Sequence, residues 1–270
     1  MVYTMYTTLM RLSTADGRDD GIQSVYGQRG YWSRLLEMVS PGDWLYRDAH
    51  YLVADVEVDA RAAARWVPRP LKLAEPALAS VFTAWFPFTT FGSTYREAGV
   101  LLQVRHHGRP AVFCPWMIVD DDVALILGRE LLGYPKKLGE ISFDIQDDRI
   151  RGVARRRGAE LIRMEGRLGE RLAEPPPMLG RPHRNVRSSM GLAVPKVLAF
   201  TPREHPLEVR RAALDVRFGS SSRDPLSELG FGEVKAAYLH RVNLGAGGLP
   251  LPCAPVSPLW MLRQWLLRAH

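Results

Sequence analysis

Two lysines, Lys136 and Lys137, stand side by side in the segment GRELLGYPKKLGEI, residues 128 to 141, directly after a proline. Lysine is scarce in this chain: only Lys72, Lys196 and Lys235 complete the five, and the rest of its 36 basic residues are arginine. Arginine serves generic charge equally well. Lysine alone can lose its proton and attack a carbonyl as a neutral amine. An ordinary lysine is neutral in only about one molecule in 2,500 at pH 7, so a nucleophilic one needs help. A second ammonium about 5 Å away supplies roughly 3 kcal/mol at an effective dielectric of about 20. Desolvation must supply the remainder. If 136–137 is extended, the two side chains point to opposite faces. Burial of Lys136 is therefore expected to matter at least as much as the charge of Lys137.

Other chemistry-bearing clusters read more simply as structure. His106-His107 sits in an apparent turn, and no second cluster of His, Cys or Asp has metal-ligand spacing. GAGG at 245–248 lacks the following helix of a dinucleotide loop. SSSRD at 220–224 lacks the context of a nucleophile elbow. ARRRG at 154–158 reads as a solvated hairpin turn, with phosphate contact as the minority option. Asp120 to Asp122 read as helix-starting residues. No metal and no cofactor is expected.

The elements that position the lysines follow from patterning. HYLVADVEVD (50–59) alternates, with Ala54, Val56 and Val58 on one face and Asp55 and Glu57 on the other, as in a half-buried strand. DARAAARW (59–66) predicts a short helix capped by Asp59. Strands are expected at 79–87, 100–105 and 111–119, with RHHGRP as the turn between the last two. DDDVALILGRELLG (120–133) predicts a helix ended by a left-handed Gly133, and Pro135 prevents its continuation. Alternating stretches at 140–146, 150–156 and 159–168 predict antiparallel strands. The Pro/Arg-rich segment 174–190 reads as a long loop, before strand-like segments at 193–201 and 211–218. The last segment, 257–270, predicts an amphipathic helix with Leu259, Leu262, Trp265 and Leu266 on one side. The expected fold is α+β: a single domain at 43–270, built around an antiparallel β-barrel or sheet with a few flanking helices, behind an N-terminal arm at 1–42.

In this context GRELLGYPKKLGEI resembles the active-site segment of the acetoacetate decarboxylase family. VPRPLKLAEP (67–76) and STYREAGV (93–100) resemble further segments of that family in the same order. The resemblance implies that Lys136 is the Schiff-base lysine, Lys137 the adjacent cation and Glu97 the acid/base glutamate. Tyr134, Arg129, Val81 and Met117 are the implied substrate-binding residues, although Arg129 and Glu130 fit a structural ion pair as well. Two positions depart from the family: Val81 stands where a second glutamate is expected and Ala49 where an arginine is expected. Arg47, two residues before Ala49, is the candidate replacement for that arginine. Some cyclase and aldolase–dehydratase relatives carry a glutamine four residues before the lysine, and here that residue is Leu132.

The implied activity is decarboxylation of a small β-keto acid through a lysine imine. The same imine also supports aldol, dehydration or cyclisation chemistry. A non-catalytic binder of an anionic ligand or nucleic acid is the alternative from another class. The net charge of +7 fits such an anionic partner, but the arginines are scattered and fit solvated faces equally well. Neither nucleic acid nor a membrane is an expected partner; a small keto acid and a homo-oligomer are. No apolar run reaches the roughly 18 residues that span a bilayer, and the N-terminal residues carry no secretory pattern. Two cysteines, Cys114 and Cys253, do not make a disulfide framework, so a cytoplasmic location is expected.

Overall fold

The computed structural model describes residues 44–174, 176, 181–187, 194–245 and 250–269, with no side chains beyond 264. The arm expected at 1–42 and the GAGG segment beyond Gly245 lie outside the described residues. In chain order the elements are β1 (Tyr46–Val58), α1 (Ala60–Ala64), β2 (Lys72–Leu73), β3 (Leu78–Phe86), β4 (Phe88–Thr89), β5 (Tyr95–His106), β6 (Arg109–Val119) and α2 (Asp122–Glu130). There follow β7 (Lys136–Leu138), β8 (Glu140–Gln146), β9 (Arg149–Arg156), β10 (Ala159–Arg171), β11 (His183–Arg187), β12 (Lys196–Phe200) and β13 (Arg203–Phe218). A 3-10 turn (Leu226–Leu229), β14 (Phe231–Gly245), β15 (Leu251–Pro255) and α3 (Pro258–Ala269) complete the chain.

The α+β class holds, but the barrel does not. The strands form one open sheet in the order β15-β12-β11-β6-β5-β3-β1-β14-β13-β10-β9-β8, and the two ends are not paired with each other. The sheet instead folds over itself, so that β8 and β9 pack across β3 and β5 through side chains. Gly152 of β9 lies directly over Thr83 of β3, and the Thr83 hydroxyl reaches Met164 Sδ of β10 at 4.0 Å. Face-to-face packing takes the place of the edge hydrogen bonds that would close a barrel. The sheet is also not wholly antiparallel, since β7 and β11 both join β6 in parallel.

Strand alternation divides the core in two. Leu52, Ala54, Val81, Ala98, Val100, Phe113 and Ile118 belong to the larger cluster. Tyr51, Val53, Phe82, Phe86, Tyr95, Leu101 and Met117 face the other way, beneath α2. Both predicted helix starts are made as expected. The Asp59 carboxylate accepts from Ala62 N at 2.6 Å, and that of Asp121 from Ala124 N at 2.7 Å. Helix α3 forms, but on a different face. Met261 and Gln264 are buried, while Leu259 and Leu262 are 79% and 55% exposed. Trp265 and Leu266 lie outside the described side chains. No helix among the described residues is long and apolar enough to cross a membrane.

Candidate active site

The position of Lys136 follows from the way α2 ends. Gly133 adopts φ +68°, as its place in the sequence predicts, and Tyr134 N–H donates back to Gly128 O at 3.1 Å. Pro135 forbids further helix, and the chain turns into β7 alongside β6, pairing Met117 with Lys136 and Ile118 with Lys137. Met117 faces the smaller cluster and Ile118 the larger one. The lysines inherit that alternation and point apart.

Lys136 enters the smaller cluster, where its side chain is 5% exposed and its Nζ lies 2.6 Å from Glu97 Oε2. The rings of Tyr95 and Tyr134 flank the Nζ, with centroids at 5.5 Å and 5.8 Å. Glu97 comes from β5, opposite Ala84 of β3 and Val119 of β6. Gly128 of α2 packs directly on the lysine stem: a Cβ there would lie 2.5 Å from Lys136 Cε and 2.6 Å from Cδ. Arg129 Nη1 donates to Lys136 O at 3.3 Å, so that guanidinium holds the backbone from outside.

Lys137 goes to the other face and pairs with Asp224, a carboxylate that is 1% exposed. Trp116 Nε1 donates to the same carboxylate at 2.9 Å and Arg156 Nη1 at 2.8 Å. Burial alone would raise the Asp224 carboxyl, but the donors Lys137, Trp116 and Arg156 outweigh it and hold it below its ordinary value. Two readings change here. Arg156 of ARRRG is buried rather than solvated, and SSSRD supplies the anchor of the second lysine. The positive charge of Lys137 is compensated on the far side of the sheet. The Lys136 amine meets the Glu97 carboxylate among aromatic rings instead.

Lys136 and Glu97 open onto a cavity of about 350 Å³. Tyr46, Tyr51, Phe82, Phe86, Tyr95, Leu101, Met117 and Tyr134 form its sheet-side wall, while Ala124, Leu127, Gly128, Leu131 and Leu132 of the α2 segment close another side. Burial, with the negative charge of Glu97 adding to it, pushes the Tyr46 phenol up to about 12. It holds those of Tyr51, Tyr95 and Tyr134 well above the ordinary value. These phenols are neutral hydrogen-bonding groups across the neutral pH range.

Of the four residues implied for substrate binding, Met117 and Tyr134 line the cavity, and Val81 and Arg129 do not. Alternation along β3 sends Val81 into the larger core and presents Phe82 and Phe86 to the site instead. Arg47 is not among the residues that line the cavity. A bulge at Asp48, φ 52°, breaks the alternation of β1, so that Tyr46 and Ala49 face inward. The Arg47 guanidinium lies over the exposed ring of Phe88, 4.9 Å from its centroid.

Sequence reasoning missed the role of 181–187. Strand β11 forms within the expected loop and clamps the α2–β7 turn. Asn185 Nδ2 donates to Leu132 O at 3.2 Å, and His183 Nδ1 lies 3.1 Å from the Tyr134 hydroxyl. His183 and Arg187 both line the cavity, with Arg187 exposed at its edge. The pair His183 and Asn185, spaced by two in a segment between prolines, was the available signal. His106 also differs from the surface turn expected for it: it is buried, and only His107 is exposed. Among the described residues no cluster of His, Cys, Asp or Glu is arranged to hold a metal.

The family model for acetoacetate decarboxylase matches residues 35–250. Acetoacetate decarboxylase 1 of Bradyrhizobium diazoefficiens is 34% identical over 108 residues, which is 40% of this chain and 43% of that protein. The chain therefore aligns with less than half the length of this curated relative. In overall fold it is similar to an acetoacetate decarboxylase of Legionella pneumophila, with TM-score 0.71 and 16% identity over 90% of this chain and 98% of that one. The enduracididine biosynthesis enzyme MppR, solved with pyruvate, is similar at TM-score 0.67 and 20% identity over 78% of this chain and 90% of that one. With four-fifths of its length matched by one family model, the chain belongs to the acetoacetate decarboxylase family.

Proposed function

We propose that this protein is a lyase that binds a β-keto acid as an imine on Lys136 and releases carbon dioxide from it. The observation that carries the reading is the Lys136–Glu97 contact at 2.6 Å, buried at the head of an apolar cavity. Glu97 is placed to take a proton from the Lys136 ammonium. The neutral amine adds to the ketone carbon, giving a carbinolamine. Glu97 returns the proton to the leaving hydroxyl, and water departs to leave a protonated imine. The electron pair of the carbon–carboxylate bond then flows into that cation. Carbon dioxide leaves and an enamine remains. Protonation at carbon and hydrolysis of the imine release a ketone and regenerate the lysine.

An apolar lining favours this step, because it disfavours the localised charge of the substrate carboxylate more than the transition state in which that charge disperses. The same imine in the same cavity would also serve aldol chemistry. MppR, similar in fold, has been solved with the condensation product of pyruvate and imidazole 4-carboxaldehyde, which is the reason to keep that as the second reading. Borohydride reduction in the presence of acetoacetate or pyruvate, followed by peptide mass spectrometry, tests both. An adduct on Lys136 is expected, with none in Lys136→Arg. No adduct from any of a panel of keto acids would sink both readings, and release of carbon dioxide from a β-keto acid separates the first from the second.

A further inference from the structure

We infer that the preferred substrate is a keto acid bearing a long or ring-containing apolar chain beyond the ketone, rather than a four-carbon acid. The inference rests on the lysine-imine reading and concerns what fills the remainder of the same cavity. At about 350 Å³ the cavity has the volume of about a dozen waters at roughly 30 Å³ each. A four-carbon acid joined to Lys136 occupies a minority of it. The ionised groups of the interior are the Lys136–Glu97 pair, with His183 beside Tyr134 and Arg187 exposed at the cavity's edge. Elsewhere the walls are rings and leucines, such as Phe82, Phe86, Leu101 and Leu244, and the cavity-lining tyrosines stay un-ionised. Ala124 keeps the α2 wall low, while the space over Gly128 is filled by the Lys136 stem.

Such a lining recognises area rather than charge. Each methylene moved from water into it is worth roughly fourfold in binding, the equivalent of about 0.8 kcal/mol. A chain with four more methylenes than acetoacetate should then gain roughly 200-fold. If the gain is expressed against the transition state as well as the ground state, it appears in kcat/KM.

The test compares carbon dioxide release from acetoacetate, 3-oxooctanoate and 3-oxo-5-phenylpentanoate by the full chain. Borohydride trapping of acetone and 2-heptanone runs in parallel, without any need for decarboxylation. The expected result is kcat/KM for the two larger acids about 200-fold above that for acetoacetate, and a matching preference for 2-heptanone in the trapped adducts. Leu131→Trp, which places a ring at a half-exposed wall position, should reduce that ratio at least tenfold. Trapping of acetoacetate on Lys136 with no advantage for the larger acids would overturn the chain-length preference and leave the imine reading standing. Failure to trap any ketone or keto acid would overturn both.

Discussion

At the residue scale, the two adjacent lysines have unlike surroundings. Lys136 meets Glu97 in an aromatic site, and Lys137 meets Asp224 on the other face. Glu97 is the only carboxylate lining the cavity among the described residues, so in the proposed mechanism proton transfer to and from the reacting nitrogen is assigned to it. Glu97→Gln keeps the shape but not the base, and kcat is expected to fall by about 10²–10⁴-fold. Slowed formation of the borohydride-trapped adduct would accompany that loss, and an unchanged rate of adduct formation would remove Glu97 from the mechanism. Asp224 has a different task. It compensates both Lys137 and Arg156 in a dry environment. Asp224→Asn leaves two buried cations facing a neutral amide, which should cost about 3–5 kcal/mol of stability. A drop in Tm of roughly 10 °C is the expected reading. A change of less than about 2 °C would mean that the pair is solvated.

At the element scale, the site depends on how a helix stops and a strand begins. Sequence patterning made that junction legible. Gly133, Pro135 and the Asp121 cap are local signals, and each acts within a few residues of itself. What patterning could not give was the partner across the sheet. Asp224 lies 87 residues beyond Lys137 and its segment has no periodicity, so nothing local marks it as a lysine anchor. Strand β11 escaped for a similar reason, because it sits beside prolines and is held by pairing with β6 and β12 rather than by its own alternation. Val81 faces the larger core while its neighbour Phe82 faces the cavity, because an offset of one residue on a strand exchanges its faces. Gly128 gives a direct test of the junction. Replacing a helix-interior glycine by alanine ordinarily stabilises by up to about 1 kcal/mol. Here the new methyl would press on Cε and Cδ of Lys136. Gly128→Ala should therefore keep or slightly raise Tm while lowering kcat at least tenfold, because the amine is displaced from Glu97. Full activity in this variant would show that the lysine stem has freedom that the packing denies it.

At the scale of the whole molecule, one open sheet folded over itself must keep its inner polar groups neutral or paired, and this makes stability depend on pH. His240 of β14 is the clearest case. It is 4% exposed, lies opposite Tyr51 of β1 and Val209 of β13, and has the Tyr238 ring as its aromatic neighbour at 5.8 Å. Burial lowers its pKa from 6.5 to about 4. In the unfolded chain the same imidazole titrates at its ordinary value. Between those two values an unfolded molecule binds a proton that a folded one refuses. The stability due to neutral His240 is thus fully present above about pH 6.5 and is lost progressively as pH falls toward about 4. From pH 6.5 to pH 5 the loss is about 2 kcal/mol, at 1.36 kcal/mol per pH unit. His50 shifts in the same direction, chiefly by burial, so the wild-type slope contains more than one contribution. His240→Gln removes one of them. Urea unfolding at pH 7.5 and pH 5.0 should give a smaller stability difference for the variant than for the wild type, by about 2 kcal/mol, whatever the absolute stability of the variant. Equal differences in the two proteins would mean that His240 takes up its proton in the folded state, and that the interior of the sheet at that strand is open to water.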